Sequence, residues 1–549
     1  MKKITISLFI TLLSVAAHSQ LDAQKIKAID SLFISWNQPN HPGGAIGIVQ
    51  KGELVYSKAF GLASLEYLVP NTTGTRFNIA SISKQFTAMA IVKLQLEGKL
   101  SVDDDIRKYL TELPDFGHTV TFRHMLHHTS GMRSLHMMLA LAGWRGDDSR
   151  TNEDLLRFMK KQQELNFVPG AEYMYCNTGY ILMAIVVEKL TGVNFADYMK
   201  KEIFVPLGMY ETYVEDRYNR VVPNNATSYQ GTATREFERE VEYWGYTGSG
   251  NIHSTTDNLL NWFRYFYLPP EGWEKAFEMM LTVDPFNDGK PNNYAFGVIV
   301  DNNRDEKRIS HSGSIGGFRA FACTYPESQI EIAVLTNFSS SDINRKVNII
   351  SDILFERSPE KRPEFKLEEV IMDDFVPEDY TGTFQIEDMP NRRFEILINE
   401  NNLFYKFTGQ SNIRLAASDK NILFNNNSQT KITFDPSDQD TIELFTNGRN
   451  YKGIKTMKYV PDEEELTSIA GTYWSPELDT YYNFSLKEGK LTGYHTRHGE
   501  FTAECLEKDL YVSDSGFISR ISIVRDKKGR VTGMKVSNSR VRDLRMEKR

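Results

Sequence analysis

A chain of 549 residues is too long for a single hydrophobic core, so roughly two to four domains are expected. Its 40% apolar and 25% charged residues exclude disordered, collagen-like and membrane-bundle classes. The net charge of −8 contains no long run of one sign, which argues against a nucleic-acid partner because phosphate binding needs clustered Lys and Arg.

At the start of the chain, Lys2 and Lys3 precede an uncharged apolar stretch over 4–17, and Ala17-His18-Ser19 supplies small residues at the usual cleavage positions. This reads as a secretory signal peptide over 1–19, too short for a membrane anchor, and predicts a periplasmic protein without an integral membrane segment after cleavage. Removing two lysines and no acid moves the formal charge from −8 to −10. Only Cys176, Cys323 and Cys505 occur, so at most one disulfide is expected and stability must come from packed cores.

Residues 45–49 and 54–56 flank Lys51-Gly52 as a predicted β-hairpin. A helix is predicted from Ser81, with a stripe through Phe86, Met89, Ala90, Val92 and Leu96 and a stop at Gly98. Further helical patterns cover 152–163 and 180–190, and strand patterns return at 297–300, 318–321 and 330–335. Strands at both ends with helices between them predict one antiparallel sheet covered by helices, an α+β sandwich-like unit over 20–358. The charged, Pro-bearing stretch from Ser358 opens a linker over 359–376. Beyond it short strands dominate, and the pattern at 380–384 (YTGTF) recurs at 469–473 (IAGTY). Two small all-β barrels, over 377–461 and 462–549, are the resulting expectation.

Three short motifs carry chemistry: Ser81-x-x-Lys84, Tyr175-Cys176-Asn177 and His311-Ser312-Gly313. The same spacings recur at Ser358/Lys361, Ser428/Lys431, Tyr481/Asn483 and His41/Gly43, so context must discriminate. Ser81 and Lys84 lie at a predicted helix start, where i and i+3 side chains share a face and a desolvated lysine can take the serine proton. A phenol at Tyr175 can relay a proton, and the Asn177 amide can hold a lysine or a substrate carbonyl. Gly313 allows close approach of a substrate to its strand, and the Ser314 N–H, with that of Ser81, can cradle an oxyanion. His124, His127 and His128 lack a recognised metal-ligand spacing and read as a structural loop. Cys176 reads as a small packed residue, and no cofactor is expected.

With these motifs in place, the sequence resembles the serine beta-lactamase, penicillin-binding protein and DD-peptidase family, in its class C-like branch with esterases and D-aminopeptidases. The resemblance extends through 77–87 (FNIASISKQFT), 126–131 (LHHTSG), 175–180 (YCNTGY), 206–209 (PLGM) and 248–255 (GSGNIHST). It implies Ser81 as the acylated nucleophile, Lys84 and Tyr175 as proton-transfer partners, and Asn177, His311, Gly313 and Ser314 around a small-molecule or peptide substrate. His311 stands where the family usually carries lysine; an ordinary histidine is mostly neutral at pH 7. That departure favours an esterase, amidase or D-amino-acid peptidase over a beta-lactamase. A binding or sensor protein that acylates without turnover is the alternative from another class.

Overall fold

The computed structural model describes residues 21–231, 236–358, 365–389, 392–435, 437–513 and 515–549; the expected signal peptide and the first residues of the expected linker lie outside them. Strands β1 (Gly44–Gln50) and β2 (Glu53–Phe60) form the hairpin, turning through Lys51 and Gly52, both at positive φ. Strands β3 (Ile299–Asn303), β4 (Glu306–Ile315), β5 (Phe318–Tyr325) and β6 (Ile330–Thr336) complete an antiparallel sheet in the order β3-β4-β5-β6-β1-β2. β1 pairs with β6 from Gly44↔Thr336 to Gln50↔Ile330, so the sheet is assembled from both ends of its unit.

Five helices matter for the site: α1 (Ala23–Ser31), α2 (Ser83–Leu96), α3 (Asn177–Thr191), α4 (Thr256–Arg264) and α5 (Ile343–Leu354). The two-residue period of the central strands sends alternate side chains into two different cores. Ile46, Ile48, Ile332 and Val334 pack with Ile29 of α1 and Val347 and Ile350 of α5. Ala45, Ala333 and Leu335 face the larger core that holds α2, α3 and α4. A Cβ on Gly47 would lie 2.6 Å from Leu260 Cδ1, so glycine lets α4 lie directly on β1. Every residue of β6 is buried, and burying each Ile, Val or Leu of such a strand is worth roughly 1.5–3 kcal/mol.

Helix α2 is buried almost all round, which explains why its apolar stripe is weak: its polar residues are used inside. Gln85 Oε1 accepts from Trp262 Nε1 at 2.7 Å, Thr87 donates to the Gly248 carbonyl at 2.7 Å, and Ser83 Oγ accepts from the Ile252 N–H at 3.2 Å.

Both copies of the internal repeat open a strand, Gly382–Ile386 and Gly471–Ser475, with Phe384 and Tyr473 buried at equivalent points. The last eight strands close into a barrel. The preceding unit is a nine-stranded antiparallel sheet that curls without closing. Its two edge strands, Ile413–Arg414 and Ala416–Asp419, are separated in the chain by Leu415 alone, but both are short and no ladder joins them.

The closed barrel is fused to the α+β unit rather than tethered to it. Leu135, Met138 and Leu141 share one continuous apolar core with barrel residues Tyr482 and Val541. The Tyr482 hydroxyl donates to the Leu141 carbonyl at 2.6 Å, and Arg133 pairs with Glu477, both buried. Among the described residues no single helix is long and apolar enough to cross a membrane.

Candidate active site

The nucleophile candidate sits one step earlier than a plain helix start. Ser81 lies in a 3-10 turn, Ala80–Ile82, that leads into α2, and Lys84 is in the first turn of that helix. Ala80 is held at φ +50, a conformation costly for a side-chain-bearing residue. Neighbouring contacts impose it: the Ala80 N–H donates to Asn78 Oδ1 at 2.9 Å and the Ile79 N–H to the Ile252 carbonyl at 2.9 Å.

Lys84 is wholly buried. Its Nζ donates to Ser81 Oγ at 3.2 Å and to the Ser249 carbonyl at 2.8 Å, and stands 4.7 Å from the Tyr175 ring centroid. Burial holds its pKa well below the ordinary lysine value, and the nearby Arg540 charge pushes the same way. The Tyr175 hydroxyl is buried without a hydrogen-bond partner among the described residues. Burial raises its pKa well above the ordinary phenol value, while the adjacent Ser81 hydroxyl and, more weakly, Arg540 oppose that rise.

Asn177 is the first residue of α3 and lines a cleft of about 220 Å³ together with Ser81, Ser249, Ser314, Tyr246 and Arg150. The lysine is thus oriented by a backbone carbonyl, that of Ser249, and not by Asn177. β3 pairs with β4 only up to Ser310, so the β4 residues from His311 to Ile315 present a free sheet edge toward the Ser81 turn. Gly313 is required there, because a Cβ would stand 2.3 Å from the Ile79 carbonyl oxygen.

His311 is buried and engaged on both sides of its ring. Nδ1 lies 2.6 Å from the Ser312 carbonyl, which can only accept, so Nδ1 carries the proton and Nε2 accepts from the Tyr294 hydroxyl at 2.9 Å. Burial pushes its pKa down to about 3. His311 is therefore a neutral hydrogen-bonding residue at pH 7 and offers no fixed positive charge.

The three histidines after α2 go separate ways. His124 Nδ1 accepts from the Thr121 N–H in a capping box, His127 bonds the Tyr294 carbonyl and Asp284, and His128 Nδ1 accepts from the Cys176 N–H at 3.0 Å. Among the described residues no group of three His, Cys, Asp or Glu side chains is arranged to hold a metal ion. All three cysteines are free, and burial raises the thiol pKa of Cys176, whose Sγ donates to the Met132 carbonyl at 3.3 Å.

Two groups at the site had no usable signal in the sequence. Tyr294 lies in a loop before β3, where its hydroxyl bonds His311 and its ring meets that of Tyr175 edge to face at 6.2 Å between centroids. Arg540 lies in the turn between the last two barrel strands, Val531–Asn538 and Val541–Lys548, and stacks on Tyr175 with its guanidinium carbon 4.8 Å from the ring centroid. A wider cleft of about 620 Å³, between the nine-stranded unit and the barrel, is lined by neither Ser81, Lys84 nor Tyr175.

A family model described as Beta-lactamase matches residues 20–352, more than half of the chain. A penicillin-binding protein of Bacillus subtilis (strain 168) is 27% identical over 453 residues, covering 79% of this chain and 99% of that protein. A D-aminopeptidase of Gluconobacter oxydans (strain 621H) is 25% identical over 301 residues, covering 55% of this chain and 56% of the relative. Among solved structures, the octameric penicillin-binding protein homologue from Pyrococcus abyssi superimposes with a TM-score of 0.56 at 25% identity, covering 86% of this chain and 99% of that one. A D-amino acid amidase from Ochrobactrum anthropi SV3, at 20% identity and TM-score 0.51 over 61% of this chain and 99% of that one, shares the fold. The matched span contains the Ser81 turn, Tyr175 and the β4 edge, and the chain belongs to the beta-lactamase family of serine hydrolase-fold proteins.

Proposed function

We propose that this protein is an exported serine hydrolase that forms an acyl-enzyme on Ser81 and cleaves an amide or ester bond in a small, peptide-like substrate. The observation that carries the reading is the buried Lys84 amine, bonded to Ser81 Oγ and to a backbone carbonyl, with no carboxylate paired to it among the described residues. Desolvation favours its neutral form, so its lone pair can take the Ser81 proton as Oγ attacks the substrate carbonyl. The backbone N–H groups of Ser81 and Ser314 are the donors assigned to the developing oxyanion. Tyr175, beside both Ser81 and Lys84, passes a proton to the departing nitrogen or oxygen, and water then attacks the ester carbonyl to free Ser81. Asn177, at the cleft wall, positions the acyl group.

The relatives named a D-aminopeptidase and a D-amino acid amidase support amide chemistry. A neutral His311 speaks for an amidase, esterase or peptidase and against efficient beta-lactam turnover. The basic and apolar segments over 2–17 support export to the periplasm.

Labelling with a fluorophosphonate and turnover of p-nitrophenyl acetate, D-amino-acid anilides and nitrocefin test this reading together. Modification of Ser81, steady turnover of an ester or anilide, and loss of at least about 10³-fold in Ser81→Ala are expected. A stable adduct with no turnover of any substrate would replace the hydrolase by a sensor. Nitrocefin hydrolysis far exceeding the others would replace it by a beta-lactamase.

A further inference from the structure

The barrel hairpin that carries Arg540 is held against the catalytic unit at several points. The Arg540 carbonyl accepts from the Ser134 N–H at 3.3 Å and from Asn166 Nδ2 at 3.2 Å. The Arg542 N–H donates to Asn166 Oδ1 at 2.8 Å, and Asn538 Nδ2 donates to the Met137 carbonyl at 3.3 Å. Arg542 pairs with Glu172, and Asn538 Oδ1 accepts from the Arg540 N–H, shaping the turn. Backbone and side chain together therefore fix where residue 540 emerges.

What emerges is a cation without an acid. Among the described residues the Arg540 guanidinium has no ion pair and no hydrogen-bond acceptor; its contact is the face of Tyr175. Among the described residues the cleft that holds Ser81 is lined by no Asp or Glu, although the Glu242 carboxylate packs behind its Gly316 wall. The arginine that lines the cleft itself, Arg150, is already engaged: Nη2 donates to the Arg145 carbonyl at 2.6 Å, Nη1 bonds His136 Nδ1 at 3.3 Å, and the guanidinium lies over Trp244. A protein with a net charge of −8 thus places an unpaired guanidinium on the face of Tyr175, beside Ser81 and Lys84, where it can meet an anion.

We infer that Arg540, supplied by the C-terminal barrel, binds a carboxylate on the leaving group of the substrate. The inference rests on the hydrolase reading above and deepens it. In that reading Tyr175 delivers the proton to the leaving atom, so a guanidinium stacked on its ring lies on the leaving-group side. In an amino-acid leaving group the α-carboxylate is separated from the departing nitrogen by one carbon, within reach of a fork that recognises carboxylates bidentately. The barrel is then a specificity element: it selects acyl donors whose leaving group is acidic, with His311 remaining neutral.

The test compares two isosteric esters on the full chain, phenylacetyl 3-hydroxybenzoate and phenylacetyl 3-hydroxybenzamide, which differ only in leaving-group charge. The ratio of kcat/KM for the acid over the amide is expected to fall by about tenfold or more in Arg540→Met, mainly through KM, and to survive within a few-fold in Arg540→Lys. It is also expected to shrink as salt is raised in the unmodified protein. An unchanged ratio in Arg540→Met overturns the inference, as does loss of the ratio in Arg150→Met alone. If neither ester is turned over, the hydrolase reading fails separately, and binding of 3-hydroxybenzoate by calorimetry decides the anchor. Binding that is lost in Arg540→Met supports it, and absence of binding to the unmodified protein overturns it.

Discussion

Lys84 Nζ lies closer to the Ser249 carbonyl, at 2.8 Å, than to Ser81 Oγ, at 3.2 Å. The carbonyl can only accept, so it fixes one amine proton and turns the remaining face of the nitrogen toward the serine. Among the described residues this buried amine has no charge-pairing partner, and the folded state disfavours its protonation.

Replacing Lys84 by methionine is therefore expected to do two opposite things. Acylation of Ser81 should fall by about 10³-fold or more, while the melting temperature rises, because a buried amine is exchanged for an apolar chain of similar length. A gain of roughly 0.5–2 kcal/mol is typical for relieving such a functional strain. In the unmodified protein, labelling should rise with pH through the depressed Lys84 pKa, since only the neutral amine accepts a proton. Scanning calorimetry and the pH profile of labelling check both limbs; a destabilised Lys84→Met protein contradicts the account.

Gly313→Ala is expected to disturb the nucleophile from the neighbouring strand. The added Cβ would meet the Ile79 carbonyl at 2.3 Å and the Ala80 Cβ at 3.0 Å, and the turn that presents Ser81 must shift. Displacement on the ångström scale costs on the order of 10²-fold in rate. The rate constant for fluorophosphonate labelling measures this directly, with circular dichroism confirming the fold.

Buried neutral histidines set the acid limit of stability. His253 and His311 have pKa values pushed down to about 3, and burial holds His128 well below its ordinary value. Below pH 6.5 the unfolded chain takes up protons that these residues refuse when folded, so stability falls as pH drops from about 6.5 toward the depressed values. Each contributes up to about 1.4 kcal/mol per pH unit. Denaturant titrations between pH 7 and 4 read the slope. His311→Lys should lower stability at every pH, by about 1–3 kcal/mol, because the Tyr294 hydroxyl loses its buried acceptor.

The Arg133–Glu477 pair ties the barrel to the segment before helix Leu135–Leu141, with side chains 1% and 2% exposed. Removing Glu477 leaves the buried Arg133 charge with only the Arg542 carbonyl at 3.1 Å and the exposed Glu164 carboxylate at 4.0 Å, so a cost up to the typical ~3–5 kcal/mol for breaking a buried pair is expected. Glu477→Ala is expected to lower the melting temperature and to weaken catalysis by loosening the hairpin that carries Arg540. Limited proteolysis between the units and kcat/KM on the ester pair would report both effects.

Residues near one another in sequence were readable as chemistry before any fold was known. Ser81 and Lys84 share a helical face because three residues make one turn, and the hairpin at Lys51-Gly52, the buried strands of 330–335 and helix α3 follow from local periodicity. The composition of the C-terminal third marks it as strands, and its YTGTF-like repeat marks two units. Local pattern could not say that one unit closes and the other does not, since closure depends on whether distant edge strands are long enough to pair.

The tertiary structure alone decided what surrounds the serine. The Ser249 carbonyl that turns Lys84, the Tyr294 hydroxyl that bonds His311, and the Arg540 cation on Tyr175 are brought in from distant parts of the chain. Their roles arise from burial and from which acceptor lies opposite which donor, quantities that exist only after packing. The Ser81–Lys84 pair was written in the sequence; the groups that surround it were set by the fold.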